Sequence, residues 1–213
     1  MASKMTRVRE LHLDIESKKS LIRKAASLIA EKIKYNEIRS AMLLDEEQQI
    51  EDLFLNEYYD PIKWQISRPA GCALTLPVFV YTLDFIEDKA LPPTREMPKR
   101  IYDFLYQFFN ALPLSIEVII VTLIYLQRIE EEVIVLRKSW RPLVFGALLM
   151  AAKFWEDISY WNVDFVDIAN VPLRKINELE NRVFAICHYK LYVSAWEYSE
   201  YYARLVAKFS NSK

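Results

Sequence analysis

The sequence predicts an all-α fold, a helical bundle, and three observations carry that prediction. Only two glycines, Gly71 and Gly146, occur in 213 residues, where average usage gives about fifteen. Sheets use glycine at hairpins and bulges, and phosphate-cradling loops need it for close backbone approach. The scarcity therefore also argues against a Rossmann site or a P-loop. Of the nine prolines, Pro61, Pro69, Pro77, Pro92, Pro93 and Pro98 crowd one region, while Pro113, Pro142 and Pro172 stand alone and divide the later chain into helices. Finally, two segments beyond residue 114 are apolar on every side, as helices enveloped by other helices must be.

Composition narrows the class further. Hydrophobic residues make up 53% and charged residues 27%, which fits a chain that folds around a core. The net charge of −1 is unevenly spread, with +5 over residues 1–39, −7 over 40–98 and +1 over 99–213. No broad basic face marks the apolar part, so nucleic acid is not an expected partner. Cys72 and Cys187 form no CxxC unit and read as reduced thiols of an intracellular protein, cytoplasmic or nuclear or both. The longest apolar run, Leu143 to Ala152, is about half of a membrane span. The opening Met1-Ala2-Ser3-Lys4 carries no signal-peptide pattern, and no stable membrane anchor is expected.

Three regions follow, with boundaries at 98 and 192. The first, residues 1–98, is an N-terminal extension. Within it, residues 17–34 read as an amphipathic helix with Leu21, Ile22, Ala25, Leu28, Ile29 and Ile33 on one face. Its basic residues Lys18, Lys19, Arg23 and Lys24 would suit a membrane surface, but docking on the main domain is the expectation. Residues 45–98 are acidic, aromatic and interrupted by proline, too apolar for a simple linker.

The second region, residues 99–192, should hold five helices. Ile101, Phe104, Leu105, Phe108, Phe109 and Leu112 give residues 99–112 a broad apolar face. The next helix, from Ser115 to about Arg128, is apolar nearly all round and belongs at the centre. A third spans about 141–155, a short one about 163–169, and a fifth, about 173–187, repeats Ile176, Leu179, Val183 and Ile186. The last region, 193–213, is one extra helix and a tail, opened by Ser194 and Glu197 as a capping-box pair.

This arrangement resembles the cyclin box. The run Arg141-Pro142-Leu143-Val144-Phe145-Gly146-Ala147-Leu148-Leu149-Met150-Ala151-Ala152-Lys153-Phe154 looks like its third helix. Asn177-Glu178-Leu179-Glu180-Asn181-Arg182-Val183-Phe184 looks like its fifth, and His188-Tyr189-Lys190-Leu191 like the exit segment. Within the family the similarity is greatest to cyclin Y and, more distantly, to the single-box yeast cyclins of the phosphate pathway. Ile120-Val121-Thr122-Leu123-Ile124-Tyr125-Leu126, the pairing of Trp155-Glu156-Asp157 with Trp161-Asn162-Val163-Asp164, and Tyr198-Ser199-Glu200-Tyr201-Tyr202-Ala203-Arg204-Leu205 carry that finer likeness. The resemblance is good over 99–205 and weak over 18–44. Residues 46–90 look longer than the family's equivalent, the Met-Arg-x-Ile-Leu docking motif of cell-cycle cyclins is absent, and Ala2 stands where cyclin Y has a glycine for myristoylation.

The resemblance also names a binding face. On spacing alone Lys153 is a lysine snorkelling from the end of an apolar helix, and Glu180 is a solvated neighbour of the Leu179–Val183–Ile186 stripe. In cyclins the matching lysine and glutamate hydrogen-bond the kinase backbone beside its αC helix, and charged groups aimed at main-chain amides fix register strongly. Phe154, Phe184, Tyr189 and Leu191 match positions that offer apolar contact to the same kinase helix, with core packing as their ordinary reading. Trp140, Trp155 and Trp161 read as structural, and Trp155 is also placed at the interface. His12 and His188 have no ligand-like spacing, and Glu130-Glu131-Glu132 reads as a solvated acidic turn. No catalytic residue, metal or cofactor is implied. The expected function is that of a non-catalytic regulatory subunit, a cyclin that forms a heterodimer with a cyclin-dependent-type serine/threonine kinase and activates it by positioning αC. The alternative is a cyclin-fold adaptor in transcription that acts through no kinase.

Overall fold

The computed structural model describes residues 2–42, 54 and 93–210. Apart from Phe54, the 46–90 segment lies outside the described residues, as do Cys72 and the Leu43-Leu44-Asp45 stretch. Seven α-helices and no strand occur among the described residues. They are α1 (Ala2–Met42), α2 (Met97–Ala111), α3 (Glu117–Ile129), α4 (Trp140–Trp155), α5 (Val166–Ala169), α6 (Leu173–Ile186) and α7 (Ala195–Ser210).

Helices α3 and α4 form the centre. Ten of the 13 residues of α3 and 12 of the 16 of α4 are buried, the latter opening with Pro142 in its first turn, where a missing N–H costs nothing. Ile119, Ile120, Leu123 and Leu148 are each no more than 4% exposed. Around this pair, α1 packs on α2 and α3, α6 packs on α4 and α3, and α7 lies along α3 and touches α1. The all-α prediction and the central place of the second box helix are thus observed.

Several boundaries differ from expectation, each for a local reason. The first helix is 41 residues long because Arg, Glu, Lys, Leu and Met on either side of the apolar stripe are good helix formers. Periodicity marked only residues 17–34 of it. There Ile22, Ile29 and Ile33 are at most 1% exposed, and they share one core with the box. Its basic residues also turn inward: Lys18 Nζ donates to the Leu114 carbonyl at 3.1 Å, Lys32 pairs with Glu130, and Arg23 lies 5.7 Å from the Tyr102 ring centre. Asn36 Nδ2 donates to the Val135 carbonyl at 3.0 Å, and Arg137 Nε to Glu37 at 2.6 Å. Glu130 is therefore not simply solvated, although Glu131 and Glu132 are exposed. Phe54 is 1% exposed within the same core.

The short helix is a 3₁₀ turn, Asn162–Phe165, running into the single turn of α5. Asn170 ends it in the left-handed region at φ 51°. At the start of α7, the Ser194 hydroxyl accepts the Glu197 N–H at 3.1 Å. The Glu197 carboxylate does not return the bond expected of a capping box. Arg128 of α3 takes it instead, at 2.8 and 2.9 Å, since a guanidinium fork is a stronger partner than an amide.

Two contacts hold the box together where the site is built. Gly146 lets α4 approach α6: a β-carbon there would lie 2.6 Å from Val183 Cγ2. Tyr125 of α3 donates its hydroxyl to the Leu191 carbonyl at 2.6 Å, and burial pushes its phenol up to about 12 from 10.0.

Gly146→Ala should be destabilising, because overpacking costs about 1–3 kcal/mol against about 1 kcal/mol of helix propensity gained. Adding Val183→Ala should make room, so the double variant should melt above the temperature that adding the two single losses gives; simple additivity would show that no close contact exists. Leu148→Ala should cost about 2–5 kcal/mol in denaturant titrations.

Tyr125 generates a pH dependence. Its folded-state pKa is the raised one, so its contribution is whole below pH 10 and is lost as pH rises through about 12. Thermal stability should fall more steeply over that window in the wild type than in Tyr125→Phe, and parallel curves would contradict the assignment.

Candidate partner-binding face

Lys153 sits in the last turn of α4, where a cation suits the negative end of the helix dipole. Beyond it the chain leaves the helix at Glu156 in an extended conformation. Glu180 lies in α6 between Leu179 and Val183, both fully buried. The close passage of α4 over α6 at Gly146 then brings two residues 27 positions apart into a direct Lys153–Glu180 ion pair. Their side chains are 24% and 21% exposed, mostly withdrawn from water yet still accessible.

A third residue joins them. Asn162 opens the 3₁₀ turn, and its Oδ1 accepts from Lys153 Nζ at 3.2 Å. Its Nδ2 donates to Glu180 Oε2 at 2.5 Å and to Asn177 Oδ1 at 2.7 Å. The turn that carries Asn162 is itself fixed by Asp164, whose carboxylate accepts the Trp161 N–H at 2.7 Å.

Beside the pair runs a row of aromatic rings. Phe154 stacks on Phe184 at 6.0 Å between centroids, and Tyr189 meets Phe184 edge-on at 4.7 Å. Such geometries suit the ring quadrupole. Phe154 is 55% and Tyr189 67% exposed, while Phe184 is half-buried beneath them. The row is held by an unusual turn. His188 and Tyr189 both lie at positive φ, 50° and 59°, without a glycine to relieve it. Each such residue costs about 1–2 kcal/mol. The turn is closed by Tyr189 N–H to the Phe184 carbonyl at 3.1 Å and His188 N–H to the Ala185 carbonyl at 2.9 Å.

The remaining expected contact residues make other contacts. Leu191 is half-buried and packs against the core. Trp155 stacks on Tyr198 of α7 at 5.6 Å with the rings nearly parallel. Trp140 is buried against Phe104, as a structural tryptophan should be. Trp161 is 73% exposed, which corrects the structural role expected for it. Ile158, Val163 and Leu173 are also exposed nearby.

Two residues that matter here escaped the sequence analysis. Asn162 stood out only as one letter of a longer resemblance, because a lone asparagine has no periodicity to mark it. Arg128 was read as the end of a helix. Its Nη1 donates to the Lys190 carbonyl at 2.6 Å and its Nη2 to the Tyr192 carbonyl at 3.0 Å, so it fastens the exit segment to α3. Cys187, beneath that segment, is a free buried thiol. Burial pushes it up to about 11, far from the range of a reactive thiolate.

No helix among the described residues is long and apolar enough to cross a membrane. The family model for cyclins matches residues 98–191, a little under half of the chain. The match begins at Pro98 in the first turn of α2 and ends at Leu191, just past the left-handed turn. It includes Lys153, Asn162, Glu180 and the whole aromatic row. The helices that build this face therefore match a cyclin box, in keeping with the all-α fold described above.

Proposed function

We propose that this chain is a cyclin in the functional sense, a regulatory subunit that binds a cyclin-dependent-type serine/threonine kinase and activates it. The observation that carries the reading is the Lys153–Glu180 pair at the mouth of the α4–α6 contact, flanked by exposed Phe154 and Tyr189. A lysine donor and a carboxylate acceptor held side by side can read both a carbonyl and an N–H of a partner's main chain. The adjacent rings supply apolar area for a partner helix, and aromatic anchors beside a polar grip are what tight interfaces use. Trp155 and Leu191 are further contact residues of this face.

Activation is then a shift of populations. A kinase samples inactive positions of its αC helix, and a subunit that binds only the inward position draws the ensemble there. That completes the lysine–glutamate pair of the kinase that holds the ATP phosphates. All catalytic groups belong to the kinase, and the use of ATP places the complex inside the cell. Within the family the chain is of the cyclin Y type.

Removing one member of a charged contact buried on binding costs about 2–5 kcal/mol, about 30-fold to several thousand-fold in affinity. Lys153→Ala and Glu180→Ala should lose kinase binding and stimulated phosphotransfer by such factors. Both side chains are part-exposed in the free chain, so both variants should melt within a few degrees of wild type. Exposed Glu131→Ala should change neither property. The measurement is a titration of each variant against the kinase that co-purifies with the chain, with phosphotransfer assayed beside it. Unfolded variants would return the pair to a structural role. Normal binding by both, or a chain that stimulates no kinase, would leave a cyclin-fold adaptor as the better reading.

A further inference from the structure

We infer that Asn162 is a positioning residue of the partner grip: it holds Lys153 and Glu180 in their binding geometry without touching the partner itself. The inference rests on the kinase-binding reading of the pair and adds a residue to it. Its basis is a count of hydrogen-bonding capacity. An asparagine amide has two N–H donors, and here one goes to Glu180 and the other to Asn177. Its carbonyl oxygen takes a proton of Lys153 Nζ at 3.2 Å. Asn162 therefore has no donor left to offer.

Its two neighbours are differently placed. Lys153 Nζ has three donors, of which Glu180 and Asn162 take two among the described residues. One N–H remains for an incoming carbonyl. Glu180 spends one lone pair of each oxygen on Lys153 and Asn162, and keeps one on each for an incoming N–H. The pair alone could rotate freely at its exposed ends, since both side chains carry several soft torsions. Asn162 ties each to a different atom of one planar amide. That amide is tied to the Asn177 side chain of α6 and set on a 3₁₀ turn closed by Asp164. Ordering the two side chains before binding removes an entropy cost that would otherwise fall on association.

A double-mutant cycle tests the role, with the co-purifying kinase as the probe and the full chain as the protein. Asn162→Ala should weaken kinase binding about 10-fold, within the range of coupled neighbours, while melting within a few degrees of wild type. In a Lys153→Ala background, the same change should add less than about 2-fold, because nothing is left to position. The free chain offers a readout independent of the kinase: the Lys153 amine should acylate faster in Asn162→Ala than in wild type under limiting reagent. Three results would overturn the inference. One is wild-type binding by Asn162→Ala when Lys153→Ala binds poorly, which leaves the kinase reading intact. A second is a full 10-fold loss in both backgrounds, meaning Asn162 acts separately from the pair. The third is unchanged acylation of Lys153. Wild-type binding by Lys153→Ala would instead defeat the kinase reading, and this role with it.

Discussion

Helices α3 and α4 have no polar face, so every side of each must be covered by protein or exposed to water at a large cost. This requirement organises the molecule. Helix α1 supplies Ile22, Ile29 and Ile33, α6 supplies Leu179 and Val183, α7 supplies Leu205, and Phe54 enters the same core from an otherwise distant part of the chain. An N-terminal helix that could have been an appendage is therefore part of the wall. The single glycine of the box belongs to the same constraint. Covering α4 with α6 closely enough to exclude water requires that one position carry no β-carbon.

The candidate binding face is a consequence of where that packing stops. Lys153 is the first charged residue of α4 after Pro142, and it arrives as the helix leaves the core. Glu180 lies at the edge of the α6 stripe. They pair with each other and with Asn162 while still part-exposed, which leaves hydrogen-bonding capacity for the partner proposed above. The aromatic row follows similarly. Phe184 packs against the core, Phe154 lies outside it, and the strained turn at His188 and Tyr189 brings a third ring over them. A turn held at positive φ without glycine persists only where its surroundings determine it. Arg128 and Tyr125, which fix the segment just beyond, are those surroundings.

Polar side chains at element ends were the least legible part. Ser194 and Glu197 have the spacing of a capping box, and Ser194 behaves as a cap, yet Glu197 is taken by Arg128 from 69 positions away. The acidic triplet at 130–132 looks solvated along the chain, but Lys32 and Asn36 of α1 reach Glu130. Trp161 looks like a core residue by type and stands in water. In each case the side chain has several partners of similar worth, and local spacing contains no information about which one the fold brings near.

What the sequence by itself determined is the set of helices and their burial. Apolar periodicity is a property of a segment alone, proline and glycine act on their own backbone, and both survive whatever the rest of the chain does. Two all-round apolar helices, a scarcity of glycine and Pro142 at a helix start were enough for an all-α bundle with α3 at its centre. The tertiary structure alone decided the register between α4 and α6, the full reach of α1, and the convergence of Lys153, Asn162 and Glu180 on one spot. Those depend on distances between residues nine, 18 and 27 positions apart, set by how a methyl-free Gly146 lets two helices touch. No local pattern encodes such a distance, because it is the sum of every packed contact between the helices.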